Sequence, residues 1–117
     1  MTTAIVERLK TGTVANVIPF GFPIPGTTPY VVVKPEAGVN ETRMFRIIPH
    51  YDPGQVIFLE DYTFSELSDL LTDWQGTDRN GNVFTVFTET TYGDIIADND
   101  DGTISMERLF IVPQRMH

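Results

Sequence analysis

At 117 residues the chain has the length of one domain, and 41% of it is hydrophobic, with eight Phe and four Tyr. That is enough to build a core and excludes a disordered chain. It has no cysteine and a formal net charge of -8, which excludes disulfides, thiolate zinc sites and cysteine nucleophiles. No apolar run approaches the roughly 20 residues that cross a bilayer. Glu7 falls inside the first apolar stretch, so neither a membrane span nor a signal peptide is expected, and a bacterial-type cytoplasm is the simplest setting for synthesis. The charge is uneven. Residues 1–59 carry four acids against five bases, whereas residues 60–117 carry twelve acids against three bases. Tight binding to phosphate backbones needs clustered Lys and Arg, and this chain has the opposite. The acidity serves either solubility or a surface that DNA passes without sticking.

The predicted elements run in the order α-β-β-α-β-β. Thr2 or Thr3 is placed to cap a short helix with Ile5, Val6 and Leu9 as its apolar stripe, and Gly12 to end it. An arm follows at about 13–29. It holds Val14, Val17, Ile18, Phe20, Phe22 and Ile24 among Pro19, Pro23, Pro25, Pro29, Gly21 and Gly26. Proline removes a backbone donor and fixes φ, so the arm is neither a helix nor a central strand. It covers the core or meets a partner.

Tyr30–Lys34 reads as a strand, Pro35–Asn40 as a turn and Thr42–Pro49 as the returning strand of an antiparallel hairpin. Met44, Arg46 and Ile48 alternate there with Phe45 and Ile47. Val56, Leu59, Thr63, Leu67, Leu70 and Trp74 then recur at steps of three and four, which predicts one helix over about 55–74. Thr63 and Glu66 also form a capping-box pattern that allows a later start, near Phe64. Gln75-Gly76 is expected to end the helix, with a turn at Asp78–Asn82. Val83–Thr90 alternates as a strand. Residues 91–102 form an acidic loop in which Ile95 and Ile96 dip back to the core, and Thr103–Val112 is the last strand, stopped by Pro113. The expected fold is α+β, a small mixed or antiparallel sheet with two helices packed on it, in a single domain over 1–117.

The inventory for chemistry is thin. His50 is the only internal histidine, and at a strand exit it reads as a turn residue rather than a general base or a metal ligand. Asp98-Asn99-Asp100-Asp101-Gly102 invites a calcium reading. With Gly102 as the sixth position of an EF-hand loop, however, Ala97 and Arg108 occupy the first and twelfth, where acids belong. It reads instead as a turn between strands. Glu60, Asp61, Glu66, Asp69 and Asp73 form an acidic helix face opposite the apolar stripe. No catalytic triad, phosphate loop or dinucleotide fingerprint occurs. No catalytic, cofactor-binding or metal-binding residue is therefore assigned, and the chain is not expected to be an enzyme. Trp74 is either a plug at the helix end or an interface anchor.

Several of these features together resemble the tail terminator proteins of long-tailed bacteriophages, which join tail to head or complete the tail. They are the N-terminal helix Ala4-Ile5-Val6-Glu7-Arg8-Leu9, the strand Pro29-Tyr30-Val31-Val32-Val33, and a helix after the second strand. The finish adds an acidic turn and Gly102-Thr103 leading into Arg108-Leu109-Phe110-Ile111. The likeness spans most of the chain, and the Pro/Gly arm departs from it. It implies a virion structural protein, made in the host cytoplasm and without catalytic activity or cofactor. Such a protein forms a ring, commonly of six subunits, that ends the tail tube and meets the head connector or head-closure protein. DNA would pass through without tight binding, and no membrane is involved. On that footing Phe20, Phe22, Ile24, Trp74 and Phe110 are candidate subunit contacts, and Asp98, Asp100 and Asp101 a candidate acidic lumen or turn. The alternatives are another neck protein such as a head-closure protein, or an acidic module that binds a basic partner.

Overall fold

A computed structural model describes residues 1–36, 42–55, 60–89 and 94–113. Helix α1 (Thr2–Leu9) is followed by strands β1 (Val17–Pro19), β2 (Tyr30–Glu36) and β3 (Thr42–Tyr51). A π-helical turn (Tyr62–Glu66) runs into helix α2 (Leu67–Leu71). Strands β4 (Gln75–Thr77), β5 (Val83–Thr85), β6 (Phe87–Thr88), β7 (Ile95–Asp98) and β8 (Ile104–Pro113) complete the chain. The fold is α+β. One sheet has the order β1-β2-β3-β8, with β6 and β7 both pairing on the far side of β8, and β4 and β5 form a separate two-stranded ribbon.

The β-branched run Tyr30–Val33 and the alternating Thr42–Tyr51 produce the expected hairpin, with Val33 opposite Ile47 and Tyr30 opposite His50. The turn expected at Pro35–Asn40 only partly overlaps the described residues, in which Pro35 and Glu36 still belong to β2. Because side chains alternate across a strand, the hairpin has two faces. Val31, Val33, Phe45, Ile47 and Tyr51 point to one, where Phe110 and Val112 of β8 join them. The two helices close over that face with Ile5, Val6, Leu9, Tyr62, Leu67 and Leu71. Full burial of each large apolar side chain there contributes about 1.5–3 kcal/mol. The other face carries only a small cluster of Tyr30, Val32 and Ile48, with Ile18 against it.

Helical backbone runs without a break from Glu60 to Leu71, so the 55–74 expectation holds there and fails at its C-terminal end. Val56 and Leu59 lie outside the described residues, and α2 stops at Leu71. Thr72 is extended (ψ 124°) and Asp73 turns through φ +61°. The reversal lets Asp73 N–H donate to the Val86 carbonyl and Val86 N–H to the Trp74 carbonyl, so tertiary pairing overrides helical spacing. The capping box does not form either. Thr63 is buried with its hydroxyl unpartnered among the described residues. The Glu66 carboxylate instead accepts the Thr13 backbone N–H at 3.2 Å and the Thr13 hydroxyl, tying the arm to the helix.

Neither Thr2 nor Thr3 caps α1. The helix begins at Thr2 behind Met1, with no side-chain cap bond. Gly12 serves close packing instead of a left-handed stop, since a Cβ there would lie 2.8 Å from Leu70 Cδ1. Gln75-Gly76 opens β4 rather than ending a helix. Gly76 is wedged so tightly that a Cβ would meet the Phe84 and Trp74 rings at 2.6 Å.

The strand expected over Val83–Thr90 alternates as read, with Phe84 and Val86 buried and Val83 and Phe87 exposed, but it is broken in two. At Val86 the backbone leaves β4 and transfers to β8; Thr90 lies outside the described residues. The other correction is Ile95 and Ile96. They do not dip into the core but form β7, an outermost strand, and are 45% and 66% exposed. Nothing among the described residues covers that edge.

Candidate interaction surface

The sheet face away from the helices is floored by Tyr30, Val32, Ile48 and His50 from the β2–β3 hairpin and by Ser105 and Glu107 from β8; Tyr30, Val32, Ile48 and Ser105 are themselves buried. Phe20, Phe22 and Ile24 of the arm wall one side and Ile95 of β7 the other, enclosing a groove of about 480 Å³. Local chemistry sets the walls. Pro19 ends β1, Phe22 N–H folds back onto the Pro19 carbonyl, and Gly21 takes φ +92°, a turn only glycine adopts without strain. Beyond it Phe20, Phe22 and Ile24 stand 59–64% exposed. Three adjacent large apolar residues left in water mark a contact surface more than a solvated loop.

Charge on this face is balanced. Arg46 Nε donates to Glu36 at 2.6 Å and its other end reaches Glu107 at 3.8 Å. The Lys34 ammonium sits 4.9 Å from the centre of the Phe20 ring, a cation–π contact. No carboxylate among the described residues is within salt-bridge distance of it.

His50 stacks on Tyr30 at 4.6 Å between ring centres, and its Nδ1 lies 3.4 Å from the Thr103 hydroxyl. Burial pushes its pKa down, while the charges of Asp101 and Glu107 pull it up. Burial also raises the Tyr30 phenol. The grouping of His50, Thr103 and Asp101 is a turn knot rather than a nucleophile. The Thr103 hydroxyl gives its proton to Asp101 at 2.6 Å, the Thr103 N–H donates to the same oxygen, and Asn99 Nδ2 also donates to the hydroxyl. These bonds hold the Asp101 carboxyl below its usual range and close the β7–β8 hairpin, with Gly102 at φ +86°.

Asp98, Asp100 and Asp101 are exposed in and beside this turn. A second acidic hollow, about 440 Å³, lies on the helical side between Thr13, Asp61, Tyr62, Ser65, Glu66 and Asp69. No group of three or more His, Asp or Glu among the described residues is placed to hold a metal ion. No helix among them is long and apolar enough to cross a membrane.

Of the candidate contacts read from the sequence, Phe20, Phe22 and Ile24 come together on the groove. Trp74 does not join them. It is half-buried against the core, edge-on to Phe84 at 5.7 Å, with the Arg8 guanidinium 5.6 Å from its ring. Phe110 is corrected outright: it is 0% exposed in the core and presents nothing to a partner. Its strand is central, so its side chain meets the helices instead of water.

Sequence reasoning missed the groove floor and the β7 edge. The floor had a signal, since Tyr30-Val31-Val32-Val33 is apolar at every position rather than at alternate ones, the pattern of a strand with apolar surroundings on both faces. Comparison with known protein families, curated proteins and solved structures finds no match for the chain.

Proposed function

We propose that this chain is a non-catalytic structural subunit of the neck or tail end of a long-tailed bacteriophage. It assembles with copies of itself into a ring that ends the tail tube and joins it to the head connector or head-closure protein. The observation that carries the reading is the exposed arm: on the sheet face away from the helices, Phe20, Phe22 and Ile24 stand out in solvent along an apolar groove. A subunit that functioned alone would gain solubility from covering those side chains, whereas an assembling subunit needs them. The α+β order and the strand and turn features that resemble tail terminators support the same reading. So does the engagement of His50 and Thr103 in a turn knot, which leaves no free nucleophile–base pair there. In the ring, the acidic turn at Asp98–Asp101 faces the lumen and repels passing phosphates.

The test is mass in solution across a concentration series, by light scattering on a sizing column, with negative-stain imaging of the largest species. A closed ring with a duplex-sized hole is expected. A monomer at every concentration, with no ring on the grid, overturns the reading. It would favour an acidic module binding a basic partner, for which the carboxylate-lined hollow at Asp61, Glu66 and Asp69 is the specific observation.

A further inference from the structure

The two ends of the sheet are built differently. At the β1 end the outer edge offers no free donor among the described residues. Pro19 has no N–H, its carbonyl is taken by Phe22, and Val17 N–H turns back to the Ala15 carbonyl. At the β7 end the edge is open. Asn99 N–H donates to the Thr103 carbonyl, and hydrogen-bonded pairs alternate along an antiparallel ladder. Ala97 and Ile95 are therefore the residues bonded to β8, and the N–H and C=O of Ile96 and Asp98 point outward, with no partner among the described residues. β7 also exposes an isoleucine on each face. An open edge with apolar residues on both faces is a template for another strand.

Charge selects which strand. If β7 paired antiparallel with its own copy about Ile96, Asp94 of each chain would lie opposite Asp98 of the other, and like charges directly across a ladder are destabilising. The edge therefore calls for a strand without acids. Thr11–Val33 contains no Asp, Glu, Lys, Arg or His in 23 consecutive residues. Within it, Phe22-Pro23-Ile24-Pro25 places prolines at alternate positions. Phe22 N–H is held by the Pro19 carbonyl, so Ile24 N–H is the segment's one donor without a partner among the described residues; the segment pairs once and cannot propagate. The same alternation puts Phe22 and Ile24 on one face of an extended chain, with Phe20 on the near side of the Gly21 turn. Lys34, beside Phe20 and without a carboxylate partner among the described residues, complements the exposed Asp98.

Resting on the ring reading above, we propose that the arm segment Phe22–Pro25 of one copy adds as a strand to the outer edge of β7 in the next copy, its apolar side chains packing over Ile95 and the groove. The contact joins two different surfaces, and repeated head-to-tail with a rotation that closes it builds a ring.

The chain has no cysteine, so single engineered thiols report the contact without background. Ile24→Cys and Ile95→Cys, both at exposed positions on the groove side, are mixed under mild oxidation, with circular dichroism confirming that each is folded. The expected result is a mixed disulfide joining the two variants, at least tenfold in excess of either homodisulfide, and loss of the large species in Ile24→Asp. Predominance of the Ile95→Cys homodisulfide shows β7 edges meeting each other and overturns the proposal, as does predominance of the Ile24→Cys homodisulfide. No disulfide while the wild-type chain forms rings overturns the arm–edge contact and leaves the ring reading standing. No disulfide and no ring removes both.

Discussion

The two faces of the one sheet share their strands, yet they are finished in opposite ways. Toward the helices, Val31, Val33, Phe45, Ile47 and Phe110 are sealed under α1 and α2. On the opposite side Tyr30, Val32 and Ile48 are buried in only a small cluster with Ile18, and the arm beside them holds Phe20, Phe22 and Ile24 out in solvent. The lesson is that stability and assembly are divided between faces: the covered face holds the chain folded, and the open face is left to meet a neighbour.

The sharpest way to break the comparison is a pair of matched truncations. Phe110→Ala should cost about 3–5 kcal/mol in urea unfolding of the monomer, because it leaves a cavity in the sealed core. Phe22→Ala should change the same measurement by no more than about 0.5 kcal/mol while weakening assembly. Equal losses would mean the open face is already closed in the monomer.

Next in size is Arg108, whose side chain is largely buried and ties three elements together. It donates to both Asp94 oxygens beside β7 at 3.1 and 2.9 Å, to the Thr63 carbonyl at 2.7 Å and to the Ser68 hydroxyl at 3.2 Å. Arg108→Ala should cost about 2–3 kcal/mol and speed amide exchange in β7 more than in β2. Uniform loss of protection would show that the edge is not separately anchored.

Gly76→Ala should cost about 1–3 kcal/mol by overpacking against Trp74 and Phe84, read as a lower urea midpoint with an unchanged slope. A neutral result would mean those rings swing aside freely.

The smallest effect belongs to pH on the open face. Burial lowers the His50 pKa from its ordinary 6.5, so the folded chain takes up its proton later than the unfolded one. The stability this brings is present above 6.5 and is lost as pH falls from there through the folded pKa. His50→Phe, which keeps an aromatic ring against Tyr30, should flatten that part of the stability profile. An unaltered profile would assign the dependence to other groups.

How much was legible beforehand depends on how local each signal was. The hairpin of β2 and β3, the last strand, the Asp98–Gly102 turn and the apolar character of the arm all rest on residues close in sequence, where alternation, turn chemistry and proline act directly. The end of the helix expected over 55–74 was misread because Trp74 keeps helical spacing with Leu70 while its backbone is claimed by a non-local partner, Val86. Phe110 was misplaced because an apolar residue in an alternating strand looks the same whether its face meets helices or water.

By itself the sequence determined the α+β class, the order of its main elements, the absence of thiol chemistry and the excess of acid in the second half. These follow from composition and short-range sterics. Only the tertiary structure decided which sheet face the helices would cover, that β7 would be left as an open edge, and that the arm would stand over the groove. Those outcomes depend on contacts between residues tens of positions apart, such as Glu66 on Thr13 and Arg108 on Thr63, and short-range patterning does not specify such contacts.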